Sequence, residues 1–298
     1  MSTRINPNIL ADLVAAMETA QSNAQKAAEE VSTGRSVNEP GDNPAAMAAL
    51  VINDAQTSQD AQFQTNVSDL QSKFQVADSA MNNATQILTS AISLGTQGAS
   101  GTLSAADRQQ IAAQVAGLQQ QMLSVANTTY EGTYVFAGTD VTTQPFTADS
   151  SAPSGVVYNG NSAVTSVQIS EGRSIATNVP GNQVFANATA SVFGALNDLE
   201  NALNSGAGIA AANTEVQNAF NQINNQRVFY GNALNQVQSA ESFLSTDTVN
   251  LSEQQTSLVG ANLTQAASQL SQDQVDEQAA ISASAQVLNM STLLDYLH

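Results

Sequence analysis

The sequence predicts an elongated, mainly α-helical fold with one small β-rich insertion. Two observations carry this prediction. All six prolines stand at positions 7, 40, 44, 145, 153 and 180, so residues 45–144 and 181–298 contain none. Because proline in a helix interior costs about 3 kcal/mol, these two stretches are free to form long helices. Residues 130–185, by contrast, hold six of the fourteen aromatic residues and three of the prolines.

The first element is an amphipathic helix over residues 8–33. Apolar residues recur there at spacings of three or four, which places them on one face of a helix. They are Ile9, Leu13, Met17, Ala20, Ala24, Ala27 and Val31. Such a stripe can pack on its own core or wait for a partner helix. Because this one is narrow and rich in alanine, it favours a seam for a partner helix.

A break follows at residues 32–44, where Gly34, Pro40 and Gly41 interrupt the helical pattern. Asn43 and Pro44 then suit the N-cap and first position of a second helix, predicted over 45–96. Fifty residues of helix span roughly 75 Å, which indicates a rod more than a compact domain. A third helix is predicted over 105–130.

Two local signals mark the start of the third helix and the insertion. Ser104 and Asp107 have the spacing of a capping box. In the middle of the chain, Asn159-Gly160 is a pair typical of hairpin turns, and alternating apolar residues follow it. The sequence therefore predicts short strands within residues 131–188.

Helical patterns return near residue 189 and end near Gly206, then run from 212 to 258 and, after Gly260, from 263 to 297. The last stretch is the most apolar, with Leu288, Leu294 and Leu297 among its residues. Such a terminus can dock on its own domain, or insert into an assembly or a chaperone groove.

Composition excludes several classes of function. The net charge is −18, and the seven basic residues are scattered, so neither nucleic acid nor an anionic membrane is an expected partner. The chain has no cysteine for disulfides. It shows no apolar run long enough to span a bilayer and no cleavable signal at Met1–Asn6, which fits a cytoplasmic protein or one exported unprocessed by a specialised machine.

Catalytic patterns are missing from the sequence. The only histidine is His298, so Ser–His and Cys–His nucleophiles and Cys/His zinc sites are not expected. The acidic groups Glu29-Glu30 and Asp273/Asp276/Glu277 lie on predicted helices, where a solvated face is the simpler interpretation. We therefore predict no enzyme activity, no catalytic residue, no metal and no cofactor.

The break at residues 32–44 lies within a segment that resembles a known family. The segment Val31-Ser-Thr-Gly-Arg-Ser-Val-Asn-Glu-Pro-Gly-Asp-Asn-Pro-Ala-Ala46 resembles the flagellin signature, as does the opening Thr3-Arg-Ile-Asn6. It departs from the usual pattern at Val37, where isoleucine is common, and at Gly41-Asp-Asn, where Ser-Asp-Asp is common. Neither departure changes the helical pattern.

Later segments narrow the resemblance within the flagellin superfamily. Tyr134-Val-Phe-Ala-Gly-Thr139, Asn178-Val-Pro-Gly-Asn-Gln-Val-Phe185 and the ending Ser291-Thr-Leu-Leu-Asp-Tyr-Leu297 are similar to segments of flagellar hook–filament junction proteins. The chain thus resembles the hook-associated protein 3 (FlgL-type) family over nearly its whole length, with His298 extending past the usual last leucine.

The resemblance implies a flagellin-like rod of long antiparallel helices whose N- and C-terminal helices pair as a coiled coil. It implies three domains: an inner terminal one (1–33 with 263–298), a helical rod (34–130 with 189–262) and a projecting β-rich one (131–188). The assembly contacts would use apolar residues of the terminal helices. These are Ile5, Ile9, Leu13, Met17, Val31, Leu263, Leu270, Ile281, Leu288, Leu293, Leu294 and Leu297.

The resemblance also implies a structural role in the bacterial flagellum, as a ring of copies that adapts the hook to the filament. The implied partners are other copies of the chain, the upstream hook-associated junction protein, flagellin, and an export chaperone at the C-terminal helix. The implied location is extracellular, after export without a cleaved signal peptide.

Three other interpretations remain open from sequence alone. A short flagellin would share the signature at 31–46. An unrelated coiled-coil secretion substrate or adhesin would share the helical arms but would not depend on flagellar export. An enzyme in the β insertion would need catalytic groups other than histidine and cysteine, since residues 131–188 contain neither.

Overall fold

A computed structural model describes residues 9–187 and 190–289, except for the side chains of residues 9, 10, 13 and 287–289. Seven helices and six strands lie in these residues. The helices are α1 (Ile9–Thr33), α2 (Pro44–Gly98), α3 (Ala105–Ala126), α4 (Gly181–Val184), α5 (Val192–Ser205), α6 (Ile209–Val259) and α7 (Leu263–Asn289). The strands are β1 (Thr129–Tyr130), β2 (Thr133–Tyr134), β3 (Phe146–Ala148), β4 (Val156–Tyr158), β5 (Ser166–Ser170) and β6 (Arg173–Ala176). The predicted mainly α fold with a small β insertion is confirmed.

The chain forms two compact units. The first comprises residues 1–59 and 247–298, and the second comprises residues 60–246. We call them the terminal unit and the central unit. Helices α2 and α6 each contribute one part to either unit. The division into three domains that the resemblance implies stays a prediction.

The predicted helix starts rest on local capping. In α2, the Ala46 amide donates to Asn43 Oδ1 over 3.1 Å, so Asn43 caps a helix that begins at Pro44. In α3, the Asp107 amide donates to Ser104 Oγ over 3.2 Å, and the Ser104 amide donates to Asp107 Oδ2 over 3.2 Å. This reciprocal pair is the capping box that the sequence predicted.

The end of α3 differs from the prediction. The helix stops at Ala126, four residues early, because Asn127 turns its side chain to the backbone of Phe146. Thr129–Tyr130 then pairs with Thr133–Tyr134 as a hairpin. Its two turn residues, Glu131 and Gly132, have φ of 48° and 77°, as a type I′ turn requires.

Asn159-Gly160 is typical of a hairpin turn, but the strands on either side of it, β4 and β5, do not pair with each other. β4 pairs backward with β3, in the register Phe146↔Tyr158, Thr147↔Val157 and Ala148↔Val156, and β5 pairs with β6. The Asn159 side chain donates to Thr147 Oγ1 over 2.9 Å, back toward β3. Gly160 serves close approach: a Cβ there would lie 2.5 Å from Tyr158 Oη and 2.7 Å from the Ala137 carbonyl oxygen.

The core of the central unit has two parts. Apolar side chains of α2, α3, α5 and α6 pack together along the helices, with Phe74 and Tyr230 fully buried. Their rings make an edge contact with centroids 6.0 Å apart. Among the β strands and α4, an aromatic cluster is centred on Phe146, whose ring centroid lies 4.9 to 5.7 Å from those of Tyr158, Phe193 and Phe185.

Candidate assembly surface

In the terminal unit, two non-helical breaks lie side by side and are joined by hydrogen bonds. The first break, residues 34–43, follows α1, and the second, residues 260–262, precedes α7. The Ser36 amide donates to the Val259 carbonyl over 2.7 Å, and the Ala261 amide donates to the Gly34 carbonyl over 2.9 Å. Arg35 and Gly260 thereby form an antiparallel bridge. Since α1 ends and α7 begins at this bridge, and the two helices pack together, they run antiparallel.

A small apolar core lies beneath the paired breaks. Val37 from the first break packs with Ala46 and Leu50 of α2 and with Val259 of α6, and all four are buried. One turn further along α2, the Asn53 side chain donates to the Leu251 carbonyl and to Gln254 Oε1, and both hydrogen bonds are 3.0 Å long. The breaks are therefore anchored by apolar burial and by hydrogen bonds from α2 to α6.

Asp42 holds the first break in shape. Its Oδ2 accepts the Asn38 and Glu39 amides, each over 3.1 Å, and its Oδ1 lies 2.5 Å from Lys26 Nζ on α1. The Lys26 contact and the two amides lower the pKa of the Asp42 carboxyl from 3.8 to about 2. The same contact raises the pKa of Lys26. Asp42 thus links the break to α1, two turns before the helix ends.

We expect the terminal unit to lose stability as the pH falls from about 4 to about 2. The folded pKa of Asp42 lies below its ordinary value, so its contribution is present above pH 3.8 and lost as the carboxyl is protonated. Amide hydrogen exchange at Asn38 and Glu39 across this range measures the effect. Asp42→Asn should remove most of the dependence, whereas Asp54→Asn should retain it. Equal profiles for both variants would contradict the role of Asp42.

The contact between α1 and α7 follows a spacing of three and four residues on each helix. On α1, the buried or half-buried residues among the described side chains are Met17, Ala20, Ala24, Ala27, Glu30 and Val31. On α7, they are Ala266, Leu270, Asp273, Glu277, Ala280 and Ser284. This alternation is the pattern of a coiled-coil seam, and its many alanines allow the helices to lie close together. The predicted pairing of the terminal helices is therefore present in the described residues.

Asp273 is a correction to the sequence interpretation. It was expected on a solvated face, but it is 5% exposed because it occupies a seam position on α7. Its Oδ1 accepts a hydrogen bond of 2.9 Å from Gln269 Nε2, one turn earlier on the same helix. A buried carboxylate makes a seam less stable than an apolar residue would.

The predicted assembly residues fall into three groups. Met17, Val31 and Leu270 are half-buried in the seam. Leu263 and Ile281 on α7 are exposed by 53% and 47%. The remaining ones, Ile5, Ile9, Leu13, Leu288, Leu293, Leu294 and Leu297, lie outside the described side chains. The role of all twelve in assembly stays a prediction.

The structure also brings together residues that sequence reasoning missed. Lys26 and Asp42 are sixteen positions apart, and neither stands in a pattern that predicts the ion pair. Val51 and Ile52 on α2 are exposed by 64% and 72%. A signal for these two was visible, since residues 45–52 form an unbroken run of eight apolar side chains.

The described residues offer little to bind a ligand or a metal ion. Among the described residues, no group of three His, Asp or Glu side chains is placed to hold a metal ion. Within the same ranges, no helix has the length and apolar character needed to cross a bilayer. The grooves on the surface are shallow, such as one of about 250 Å³ beside the paired breaks, lined by Gly34, Arg35, Gln255, Thr256, Val259 and Gly260.

Two family models match the chain. The bacterial flagellin N-terminal helical region matches residues 5–141, and the bacterial flagellin C-terminal helical region matches residues 214–297. Together they cover well over half of the sequence. The matched regions contain the terminal unit except residues 1–4 and 298, and the unmatched middle contains most of the β strands.

Individual relatives carry two kinds of name. Flagellar hook-associated protein 3 of Escherichia coli (strain K12) is 27% identical over 266 residues, which cover 80% of this chain and 82% of that protein. A flagellin of Clostridium tyrobutyricum is 32% identical over 126 residues, 42% of this chain and 33% of that protein. The solved structure of flagellar hook-associated protein 3 from Legionella pneumophila matches with a TM-score of 0.62 at 18% identity, covering 70% of this chain and 98% of that one. This last likeness is one of fold.

Proposed function

Because the chain belongs to the flagellin family, we propose that it is the structural subunit that joins the flagellar hook to the filament. It is a component of the bacterial flagellum, and its work is mechanical. A ring of its copies adapts the lattice of the hook to that of the filament. No catalytic step is part of this role.

The length of the match to hook-associated protein 3 carries the proposal. An alignment over 80% of this chain has to include the β-rich middle, which lies between the regions that the two flagellin models match. The flagellin of Clostridium tyrobutyricum matches over 42% of the chain. The similarity to the junction protein therefore extends into the part of the chain where flagellin similarity ends. This favours a junction protein over a short flagellin.

The geometry of the terminal unit supports assembly with other flagellar subunits. The seam between α1 and α7 is thin, alanine-rich and carries the buried Asp273, so it contributes little stability by itself. Such a helix pair gains stability when further copies cover it. The low content of charged residues, 11%, lowers the cost of burying the surface between copies.

We also propose specific partners for the protein. They are other copies of the chain, the upstream hook-associated junction protein on one side and flagellin on the other. An export chaperone would bind the C-terminal helix, whose apolar residues need cover before assembly. The protein would act outside the cell, after export through the flagellar apparatus without cleavage of a signal peptide.

The decisive test is reconstitution on isolated hooks. Hooks capped by the upstream junction protein are incubated with this protein, washed, and then given flagellin monomers. We expect the protein to bind the capped hooks and the filament to grow only after it has bound. If flagellin polymerises equally well without it, the junction role is wrong.

Deletion separates the junction role from that of a short flagellin. Without a junction protein, cells still make and export flagellin, so flagellin should accumulate in the medium while filaments are absent. Without a filament subunit, no such leaked protein should appear. Absence of filaments together with absence of leaked flagellin would therefore favour the flagellin alternative.

A further inference from the structure

The first turns of α2 are apolar on all sides, although only one side is covered. Within the run of apolar residues 45–52, Ala46 and Leu50 are buried in the small core beneath the breaks. The opposite side is exposed. We call it the α2 outer face, and it consists of Ala45, Ala48, Val51, Ile52 and Ala55. A helix that is apolar all round is normally buried all round.

A second uncharged row lies on α7 of the same unit. At 100° per residue, five exposed residues fall within a narrow arc beside the seam with α1. We call this row the α7 outer face, and it consists of Leu263, Ala267, Gln274, Ile281 and Ala285. Of the ten large apolar residues that are exposed in the described chain, seven lie in the terminal unit. The terminal unit therefore exposes more apolar surface than its size explains.

We propose that the α2 outer face of one copy packs against the α7 outer face of a second copy. The proposal rests on the proposed function, because it names the contact that would join copies within the ring. The two faces are different surfaces of one unit, so their contact is heterologous. Heterologous contacts generate rings or helical assemblies, whereas a self-matching contact would stop at a dimer.

Charge favours a second copy as the occupant. The chain carries a net charge of −18, so two copies repel each other unless the surfaces in contact lack charge. Both outer faces consist of uncharged residues. On α2, the nearest carboxylate is that of Asp54, which accepts a hydrogen bond of 3.3 Å from Gln255 Nε2 of α6. On α7, the nearest carboxylate is that of Glu277, which is half-buried on the side toward the seam with α1. A basic partner would find no carboxylate to bind on either face.

The lengths and side-chain sizes of the two outer faces are also compatible with this contact. Residues 45–55 span about 15 Å of helix and residues 263–285 about 33 Å, so the α7 outer face is long enough to receive the α2 outer face. The alanines at 45, 48 and 55 allow the two helices to approach toward the short end of the usual 8–10 Å range. Val51 and Ile52 can then enter the grooves between the α7 side chains.

The first test changes one residue of the face. Ile52→Lys places a charge on the α2 outer face at an exposed position, so the thermal melt of the monomer should not change. Binding to capped hooks should fall at least tenfold. Val228→Lys is the matched control, because Val228 is 59% exposed on α6 of the central unit. It should bind as the unchanged protein does.

Cross-linking identifies the occupant. The chain has no cysteine, so each engineered one is unique. Copies with Ile52→Cys and copies with Ile281→Cys are mixed, assembled on capped hooks and treated with a short bismaleimide. We expect cross-linked dimers from the mixture and none from Ile52→Cys alone.

Each other outcome overturns the inference. Links between two Ile52→Cys copies would show a self-matching contact, and links to the upstream protein, flagellin or a chaperone would show a different occupant. Equal binding of Ile52→Lys and the unchanged protein would show that the face is not used. Failure of the unchanged protein to bind hooks is a separate result, which would contradict the proposed function.

Discussion

Phe146→Ala is expected to destabilise the central unit by about 3–5 kcal/mol. Phe146 is 1% exposed, and its ring contacts those of Tyr158, Phe185 and Phe193. Removing it leaves a cavity that these rings cannot fill, because each is held by its own strand or helix. In a unit of this size, the midpoint of thermal unfolding should fall by roughly 10 °C.

The backbone of Phe146 explains why the site cannot simply collapse. The Phe146 amide donates to Asn127 Oδ1 over 3.0 Å, and Asn127 Nδ2 donates to the Phe146 carbonyl over 2.8 Å. These bonds hold β3 against the end of α3 whether or not the ring is present. The cavity therefore stays open, which places the expected cost at the upper part of the range for such substitutions.

Phe243→Ala is the matched control for this prediction. Phe243 belongs to the same unit but is 57% exposed on α6, so its removal should change stability by about 0.5 kcal/mol or less. Denaturant unfolding of both variants, followed by circular dichroism, measures the difference. Similar losses for the two variants would show that the aromatic cluster is not a centre of stability.

Helix starts could be predicted from the sequence because their signals are local. Asn43 and Ser104 each cap a helix whose first amides lie three residues away, so the whole interaction is contained in one short segment. The amphipathic stripe of α1 could be predicted for the same reason, since helical spacing follows directly from the order of residues.

Strand pairing and the two paired breaks depend on distant segments. Asn159-Gly160 is a good hairpin signal, yet β4 pairs with a strand that precedes it. Gly34 and Ala261 are joined by one hydrogen bond across more than two hundred residues. A single sequence contains no pattern that relates such positions.

In the candidate assembly surface too, local features could be predicted and contacts between distant segments could not. Periodicity identified α1 and α7 as helices with apolar stripes, and the structure places those helices side by side. Periodicity could not show which side of the apolar stripe on α7 would be covered by α1. Leu270 is half-buried against α1 while Leu263 and Ile281 stay exposed, because the seam uses only one side of a broad stripe.

Gly260→Ala is expected to destabilise the terminal unit by about 1–3 kcal/mol, because the added methyl group has no room. A Cβ at this position would lie 2.4 Å from the carbonyl oxygen of Thr256 and 3.2 Å from its Cγ2. The Gly260 amide already donates to that carbonyl over 2.8 Å, so the backbone has to move. Any movement displaces the neighbouring bonds between Ser36 and Val259 and between Ala261 and Gly34.

The consequence for assembly follows from the position of these bonds. They join the end of α1 to the start of α7, so their loss frees the two helices from a common anchor. Hydrogen exchange at the Ser36 and Ala261 amides should accelerate, and binding to capped hooks should decrease with it. Amides within the central unit, such as those of β3, should exchange at their original rate.

Gly41→Ala supplies the control, since Gly41 lies in the break that pairs with Gly260. A Cβ at Gly41 would have no atom within 4 Å. Replacing this glycine should leave stability unchanged or raise it by up to about 1 kcal/mol, because alanine restricts the unfolded chain. If Gly41→Ala weakens hook binding as much as Gly260→Ala does, the effect comes from any change in the breaks. If only Gly260→Ala weakens it, the close approach to Thr256 is what positions α7 for assembly.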